Sequence, residues 1–366
     1  MAKYKRQKVK RYRRSFYSRG TRIKKGIGIV VLVLAVLGAA WLAAPHVLDW
    51  ATHTWYTVVK NRDLEAESAS RAAASSEAAA SSAVQEAASS QPEPEQPKEL
   101  DGKAVTGGSW AAVDVSTLAD DAAIRAAAQQ LKAQGADYGL VTLKDADGSI
   151  HYASQVAAAS GSIAGTTVDP ARIAAIFREE GIIPAAQLAA FTDPVSGYTD
   201  RSMAVHYSGT QLWLDNVSAK AGGKSWLDPS AASAVQYVGD LIDELHGMGF
   251  EQVVLTGVQF PNIITRKQEF AAAGGKSQEG RAALLAADIS TWQARFDGIV
   301  VLWLSYPAQQ CTDASDALGA PAVSLGMHNL IVTADTLDAA ARGQLQQSAA
   351  EAGVQNVVIC STESFQ

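Results

Sequence analysis

The chain has 366 residues, long enough for two domains, and its charge is unevenly distributed. Residues 1–25 carry twelve Lys or Arg side chains and no acid, whereas residues 26–366 carry 19 basic and 37 acidic side chains, a formal charge of −18. This separation indicates two environments and argues against a single nucleic-acid-binding surface. A basic tail that binds nucleic acid through its interleaved aromatic rings is the weaker alternative, so no nucleic-acid partner is expected.

An apolar run follows the basic tail directly. Residues 26–44 (GIGIVVLVLAVLGAAWLAA) contain no charged side chain, and a bilayer core requires roughly 20 such residues in a helix. We therefore predict a transmembrane helix over 26–48 in a single-pass protein of the cell membrane. The tail, 1–25, is expected in the cytoplasm beside anionic lipid headgroups, with the C-terminal domain extracellular. A cleaved signal peptide is the alternative, but its apolar region has only about 7–15 residues.

Residues 49–108 comprise a juxtamembrane segment followed by a linker. The linker is built almost wholly from Ala, Ser, Glu, Gln and Pro. Such a composition buries too little apolar surface to offset the entropy lost on ordering. We predict a disordered stalk that holds a globular domain, residues 109–366, away from the membrane.

Apolar segments rich in β-forming residues alternate with Ala-rich helical segments in the globular domain. Strands are predicted at 110–115, 138–143, 182–188, 252–258, 298–304, 329–333 and 356–360. Helices are predicted at 119–134, 170–180, 229–247, 280–296 and 336–352. Apolar strands separated by helices indicate a parallel sheet covered on both faces, and the length suits a (β/α)8 TIM-like barrel with 322–325 as the eighth strand. An open doubly wound sheet is the alternative, but no Gly-rich turn follows the first strand.

Two long connections, 189–227 and 259–280, follow the third and fourth predicted strands. Loops of this length in a compact domain are usually functional. Both leave the carboxyl ends of strands, where barrel enzymes place their sites. The sequence therefore predicts a site at that face.

Four stretches together resemble a bacterial (β/α)8 family classed as glycoside hydrolases. They are GLVTLKDADGSIHY (139–152), PAAQLAAFTDP (184–194), SWLDP (225–229) and GFEQVVLTGVQFP (249–261). The resemblance covers most of residues 110–265 and implies the barrel fold and a glycan ligand. A polysaccharide is therefore the expected partner.

The chain departs from the family pattern at charged positions near strand ends. Thr142 stands where the family's second strand carries Asp, and Gln187 stands where the third carries Arg. In the fourth strand, Thr256 replaces an Asp and Gln259 an Arg. Glycoside hydrolysis normally requires two carboxyl groups about 5–9.5 Å apart, and Thr cannot protonate a leaving group near neutral pH. The replacements imply reduced or absent catalytic activity.

Other residues remain candidates for the site. Asp114 and Asp228 are the candidate catalytic acids if the carboxylates have been relocated. The candidate ligand-binding residues lie near predicted strand ends or in the long connections, and they are Thr142, Lys144, Gln187, Trp213, Asp215, Trp226, Thr256, Gln259, Trp303 and Tyr306. Sugar rings stack on aromatic faces, although Trp303 within an apolar strand also suits a core position.

Thiols and metals contribute little to the prediction. Cys311 and Cys360 are the only cysteines, and outside the cytoplasm they can form one disulfide or remain two buried thiols. The six His residues show no ligand spacing, and no phosphate-binding or nucleophile motif is present. No metal and no cofactor are predicted.

Three functions remain open. The first is a membrane-anchored barrel that binds an envelope polysaccharide with reduced or no hydrolytic activity. The second is an active glycosidase with relocated carboxylates, and the third is a scaffold in an envelope assembly.

Overall fold

The computed structural model of the protein describes residues 108–362. The predicted cytoplasmic tail, transmembrane helix and nearly all of the stalk lie outside these residues, so those predictions remain predictions. Within 108–362, no helix has the length and apolarity that a bilayer crossing requires.

All seven predicted strands are present, together with four additional short ones. The strands are β1 Trp110–Val113, β2 Tyr138–Lys144, β3 Ile150–Tyr152, β4 Ile163–Val168, β5 Ile183–Ala189, β6 His206–Tyr207, β7 Gln211–Leu212, β8 Gln252–Thr256, β9 Val301–Pro307, β10 Asn329–Thr333 and β11 Asn356–Cys360. The helices are α1 Asp121–Ala133, α2 Pro170–Glu179, α3 Ser196–Thr199, α4 Ala232–Gly247, α5 Gln278–Arg295, α6 Ala308–Thr312 and α7 Ala339–Glu351.

The central sheet is mostly parallel. Strands β1, β2, β5, β8, β9, β10 and β11 pair in chain order, each parallel to the next. β3 is antiparallel to the end of β2 and carries β4 on its other side. The fold is therefore mixed α/β, as predicted, and this strand order is compatible with a TIM-like barrel.

The sheet is strongly curved. A single buried cluster contains side chains from all seven parallel strands, including Trp110, Tyr138, Trp303 and Cys360. The Trp110 ring stacks on Tyr138 at 4.0 Å and meets Trp303 edge-on at 5.4 Å between centroids. Because β1 and β9 are separated by three strands, this contact requires the sheet to curl around a common interior.

The prediction of an eighth strand at 322–325 is wrong. This segment is a 3-10 helix that follows Pro321 and ends at Gly326, whose φ of 82° is left-handed. The Ser324 amide donates to the Pro321 carbonyl at 3.0 Å, so the backbone closes a helical turn, and left-handed Gly326 ends it. Within 108–362, β1 and β11 are not paired with each other.

Local side chains determine where several elements begin and end. The side chains of Asp120, Asp169, Ser277 and Asp338 accept backbone hydrogen bonds at the starts of α1, α2, α5 and α7, which satisfies otherwise unpaired N–H groups. The fourth predicted strand ends at Thr256, earlier than expected, because Gly257 has a φ of +62°. Apart from 322–325, the predicted elements are thus correct in type and differ from the structure by a few residues at most of their ends.

The two long connections pack against each other. His206 and Glu269 exchange backbone hydrogen bonds of 3.0 and 2.8 Å, and Val205, Tyr207 and Trp213 form a small buried cluster beside Phe270. Arg281, fully buried, donates to the carbonyls of Gly275 and Pro261 at 2.7 and 2.8 Å, among others. Both connections are consequently ordered parts of the domain.

The two cysteines are free and buried. Cys311 packs in the layer between sheet and helices, whereas Cys360 belongs to the interior cluster of the curved sheet. Burial raises the pKa of the Cys311 thiol to about 12 and that of Cys360 to about 11. Of the two alternatives left by the sequence, the structure has two separate thiols.

Candidate functional site

A layer of polar side chains lies at the carboxyl ends of the parallel strands. Side chains alternate across a strand, so a residue two positions beyond an interior residue also faces inward. The residues in this position are Asp114, Thr142, Gln187, Thr256, Ser305, Thr333 and Thr362, and each lines one of two cavities. Only Asp114 among them is charged.

The smaller space, here called the neutral cavity, has a volume of about 270 Å³. It is lined by Gln187, Thr256, Gly257, Gln259, Ser305, Tyr306, Pro307, Gln310, Thr333 and Thr362, without a charged side chain. Three of the four family departures thus lie together in it. The Gln187 Oε1 atom is buried and has no hydrogen-bond partner among the described residues.

The larger space, here called the acidic cleft, has a volume of about 670 Å³, within the range of small-molecule sites. Its polar lining consists of Asp114, Ser116, Thr142, His151, Thr166 and Thr167, and its apolar lining of Val113, Val115, Ala119, Ala164 and Val168. Asp114 is the single carboxylate in this lining.

The cavity and the cleft have lining residues on one pair of neighbouring strands. Thr142, which lines the cleft, is the register partner of Gln187, which lines the neutral cavity. Neighbouring strands lie about 4.8 Å apart. A linear ligand that crosses this strand pair therefore reaches both spaces.

Asp114 presents an ionised carboxylate to the cleft. Its Oδ1 atom accepts a hydrogen bond of 2.9 Å from the Ser116 amide, and hydrogen bonds from Ser116 hold the pKa of Asp114 below its usual value. The same interaction ends β1 and begins the 3-10 turn at Val115–Thr117. The local fold of the chain thus orients this carboxylate.

Asp228, the other candidate acid, lines neither space. It is buried, and its oxygens accept hydrogen bonds from Ser230 N at 2.8 Å, Ser230 Oγ at 2.7 Å and Ala271 N at 2.6 Å. Burial raises the pKa of Asp228, while these hydrogen bonds oppose the shift. In this arrangement Asp228 connects the two long loops.

Lys144 also lies outside both spaces. It is buried, and its Nζ atom donates to the Ala189 carbonyl at 2.6 Å and pairs with Asp193 Oδ2 at 3.0 Å. Asp193 further accepts from the amides of Val195 and Ser196, each at 2.9 Å. Two of the stretches that carry the family resemblance, Lys-Asp and Phe-x-Asp-Pro, therefore meet in a buried ion pair.

The predicted aromatic residues occupy different environments. Trp213 is buried, and half-buried Trp226 donates to Asp215 Oδ2 at 2.9 Å; all three lie outside both spaces. Trp303 is fully buried in the sheet interior and donates to Gln252 Oε1 at 2.8 Å. Tyr306 lines the neutral cavity, and its hydroxyl donates to the Val258 carbonyl at 2.9 Å.

Sequence reasoning missed His151, Ser305, Thr333 and Thr362. A usable signal existed for the last three, because each stands two residues beyond an interior strand residue. His151 lies in the stretch 139–152 that carries the family resemblance, and no His spacing in the sequence indicates a ligand role for it. Its placement in the cleft depends on the β2–β3 connection, which has no separate sequence pattern.

The family described as "Putative glycosyl hydrolase domain" matches residues 113–301, just over half of the chain. The chain belongs to this family. The resemblance inferred from the sequence is thereby confirmed, and the domain is a glycosyl-hydrolase-type domain. No curated protein matches the chain.

Several solved structures are similar to the chain. A hypothetical protein from Ruminiclostridium thermocellum is 21% identical, with 53% of this chain and 96% of that chain covered and a TM-score of 0.45. An α-galactosidase from Thermus thermophilus is 12% identical, with coverage of 71% and 52% and a TM-score of 0.42. A chitobiase from Flavobacterium johnsoniae is 12% identical, with coverage of 70% and 38% and a TM-score of 0.44. The chain spans about half or less of these two glycosidases, and likeness at this level carries no argument about activity.

Proposed function

We propose that this domain binds a cell-envelope polysaccharide at the carboxyl ends of its strands, with reduced or no hydrolytic activity. The observation that carries the proposal is the neutral cavity, where Gln187 holds a buried amide oxygen without a partner. A buried acceptor in this state costs free energy unless a donor reaches it. A sugar hydroxyl is a donor of suitable size and charge.

The chemistry of both spaces supports binding over cleavage. Hydrolysis of a glycosidic bond normally uses two carboxyl groups. The neutral cavity has none in its lining, and the acidic cleft has Asp114 alone. The hydroxyl and amide groups of Thr256, Gln259 and Ser305 can exchange hydrogen bonds with a sugar, but they cannot supply the acid and base.

The replacement Gln187→Met tests this proposal. It removes the unpartnered amide and keeps the side-chain length, so we expect at least a tenfold loss of affinity, or about 1.4 kcal/mol. The measurement is binding of the detergent-solubilised full chain to an array of bacterial envelope polysaccharides, followed by titration of each one bound. Gln347→Met, on exposed α7, is the matched control. Absence of binding by the wild-type chain, or equal affinity in Gln187→Met, would contradict the proposal.

The sequence supports a membrane anchor for this function. We propose that residues 26–48 span the membrane and that the domain faces the envelope, because the charge-free run at 26–44 follows twelve basic side chains. Protease added to intact cells should then remove the domain and leave the N-terminal tail protected. Protection of the domain in intact cells, with cleavage after lysis, would reverse the proposed topology.

A further inference from the structure

The polar groups that line the acidic cleft include one group that only accepts hydrogen bonds and none that only donates them. Asp114 is an acceptor only, and the hydroxyls of Ser116, Thr142, Thr166 and Thr167 both donate and accept. No Lys or Arg side chain is in its lining. The cleft therefore offers a negative charge without a matching cation of its own.

His151 adds a further acceptor at the cleft wall. Its Nε2 atom lies 3.0 Å from Asp145 Oδ2, and Asp145 is itself held by the amides of Asp147 and Ser149 at 2.9 and 3.0 Å. Because a carboxylate only accepts, Nε2 donates to Asp145, and Nδ1 is the acceptor when the ring carries this single proton. No described residue donates to or accepts from Nδ1.

Nearby cations are already engaged with other carboxylates. Lys224 pairs with Asp147, on the turn that holds His151, and Lys144 pairs with buried Asp193. Neither side chain is in the lining of the cleft. An anionic ligand would therefore meet Asp114 without compensation, whereas a cationic one would find an ionised carboxylate and a ring-nitrogen acceptor.

We propose that the acidic cleft binds a sugar residue with a free ammonium group, an unacetylated hexosamine, within the polysaccharide held by the domain. The ammonium group pairs with Asp114, and the sugar hydroxyls bond to the Thr and Ser side chains. The apolar wall of Val113, Val115 and Val168 contacts the C–H faces of the ring. This inference rests on the proposed function and specifies the class of its ligand.

The adjacency of lining residues from the two spaces fits this assignment. Thr142 and Gln187 are register partners on neighbouring strands, so consecutive sugar residues of one chain can occupy the cleft and the neutral cavity. The cavity lacks charge and accepts any neutral sugar. Discrimination by the amino group then comes from the cleft.

Three matched tetramers test this inference: β-1,4-linked glucosamine, its N-acetylated counterpart and cellotetraose, which differ only at C2. Titrated into the solubilised full chain at low salt, the glucosamine tetramer should bind at least fivefold more tightly than the other two. Because the attraction is partly exposed to solvent, 0.5 M salt should reduce the preference.

The variant Asp114→Asn should abolish the preference for the glucosamine tetramer, and urea denaturation of the variant beside the wild-type chain shows that it is folded. Asp297→Asn is the control, since Asp297 is exposed and precedes β9, at the opposite end of the sheet. Equal affinity of the wild-type chain for all three tetramers would overturn the inference and leave the proposed function standing. A preference that survives in Asp114→Asn would also overturn it. Binding of none of the three would overturn this inference, whereas the proposed function is decided by the array of envelope polysaccharides.

Discussion

At the scale of single residues, the family departures have a common physical outcome. Thr142, Gln187, Thr256 and Gln259 all line one of the two strand-end spaces, and each presents a neutral polar group where the family has a charge. Cavities are present at these positions, while the groups for acid–base chemistry are absent from them. The remaining carboxylate, Asp114, has a lowered pKa and stays ionised near neutral pH, which suits it to charge pairing and makes it a poor proton donor.

We expect Gln187 to lower the stability of the empty domain and to strengthen its binding of a ligand. Its buried, unpartnered amide oxygen opposes folding of the empty domain, and an apolar side chain of similar length removes that cost. We expect Gln187→Met to raise the free energy of unfolding by about 1 kcal/mol, measured by urea denaturation without glycan. An exposed control, Gln347→Met, should stay within about 0.5 kcal/mol of wild type. A loss of stability in Gln187→Met would show that the amide has a structural role.

Lys144 and Asp193 form a pair that should matter for folding. Both side chains are fully buried and lie 3.0 Å apart, so removal of one leaves the other charge without a partner. We expect Lys144→Met to lower the free energy of unfolding by about 3–5 kcal/mol. The double variant Lys144→Met/Asp193→Asn should be more stable than the sum of the two single losses predicts. Strict additivity in urea denaturation would contradict a coupled ion pair.

At the scale of elements, α5 carries a buried carboxylate that opposes folding above acidic pH. Asp288 has a buried Oδ2 atom without a partner, and burial, with a smaller effect of Asp228, raises its pKa to about 8. Below pH 4 the group is neutral in the folded and the unfolded chain. Between about pH 4 and 8 it is protonated only in the folded chain, so stability falls as pH rises.

The variant Asp288→Asn should remove this dependence. We expect little change in the free energy of unfolding at pH 4 and a stabilisation that grows toward pH 8 by at most about 1.4 kcal/mol per pH unit. Urea denaturation at pH 4, 6 and 8 measures the effect. Glu351→Gln on exposed α7 serves as the comparison, and a stabilisation of equal size at every pH would contradict the account.

Helices and strands were predictable from the sequence wherever a local hydrophobic pattern determines them. Strands β10 and β11 have the bounds that the sequence indicates, because each begins at an Asn that is followed by an uninterrupted run of β-forming residues. The ends of helices and strands depend on single residues. Strand β8, for example, ends at Thr256 because Gly257 has a left-handed backbone. The prediction of an eighth strand was wrong because a segment of four residues between Pro321 and Gly326, three of them apolar, fits a short strand and a 3-10 helix equally well.

The sequence indicated site residues only where it also indicated the end of a strand. Thr142, Gln187 and Thr256 were placed correctly at the strand ends because each lies near the end of a recognisable strand. Lys144 and Asp228 could not be distinguished from ligand-binding residues by sequence. Lys144 bonds to Ala189 and Asp193, and Asp228 bonds to Ala271 besides Ser230, so each has a partner more than 40 residues away. Long-range contacts of this kind leave no periodic signal.

At the scale of the whole molecule, the chain combines a glycosyl-hydrolase-type domain with an N-terminal sequence suited to membrane anchoring. Residues 1–25 and 26–366 differ strongly in charge, which is consistent with a domain kept at the envelope surface. An anchored domain that holds a polysaccharide without cutting it would attach that polymer to the membrane. Cleavage of the polysaccharide would release it from the membrane.

The most direct test follows binding and cleavage in one sample. The solubilised full chain is incubated with the glucosamine tetramer and with cellotetraose, bound ligand is measured by titration, and the recovered sugar is sized by mass spectrometry. The account predicts that at least one tetramer binds and is recovered intact after prolonged incubation. Release of shorter sugars at a rate that Asp114→Asn abolishes would contradict it and establish an active glycosidase with a relocated carboxylate.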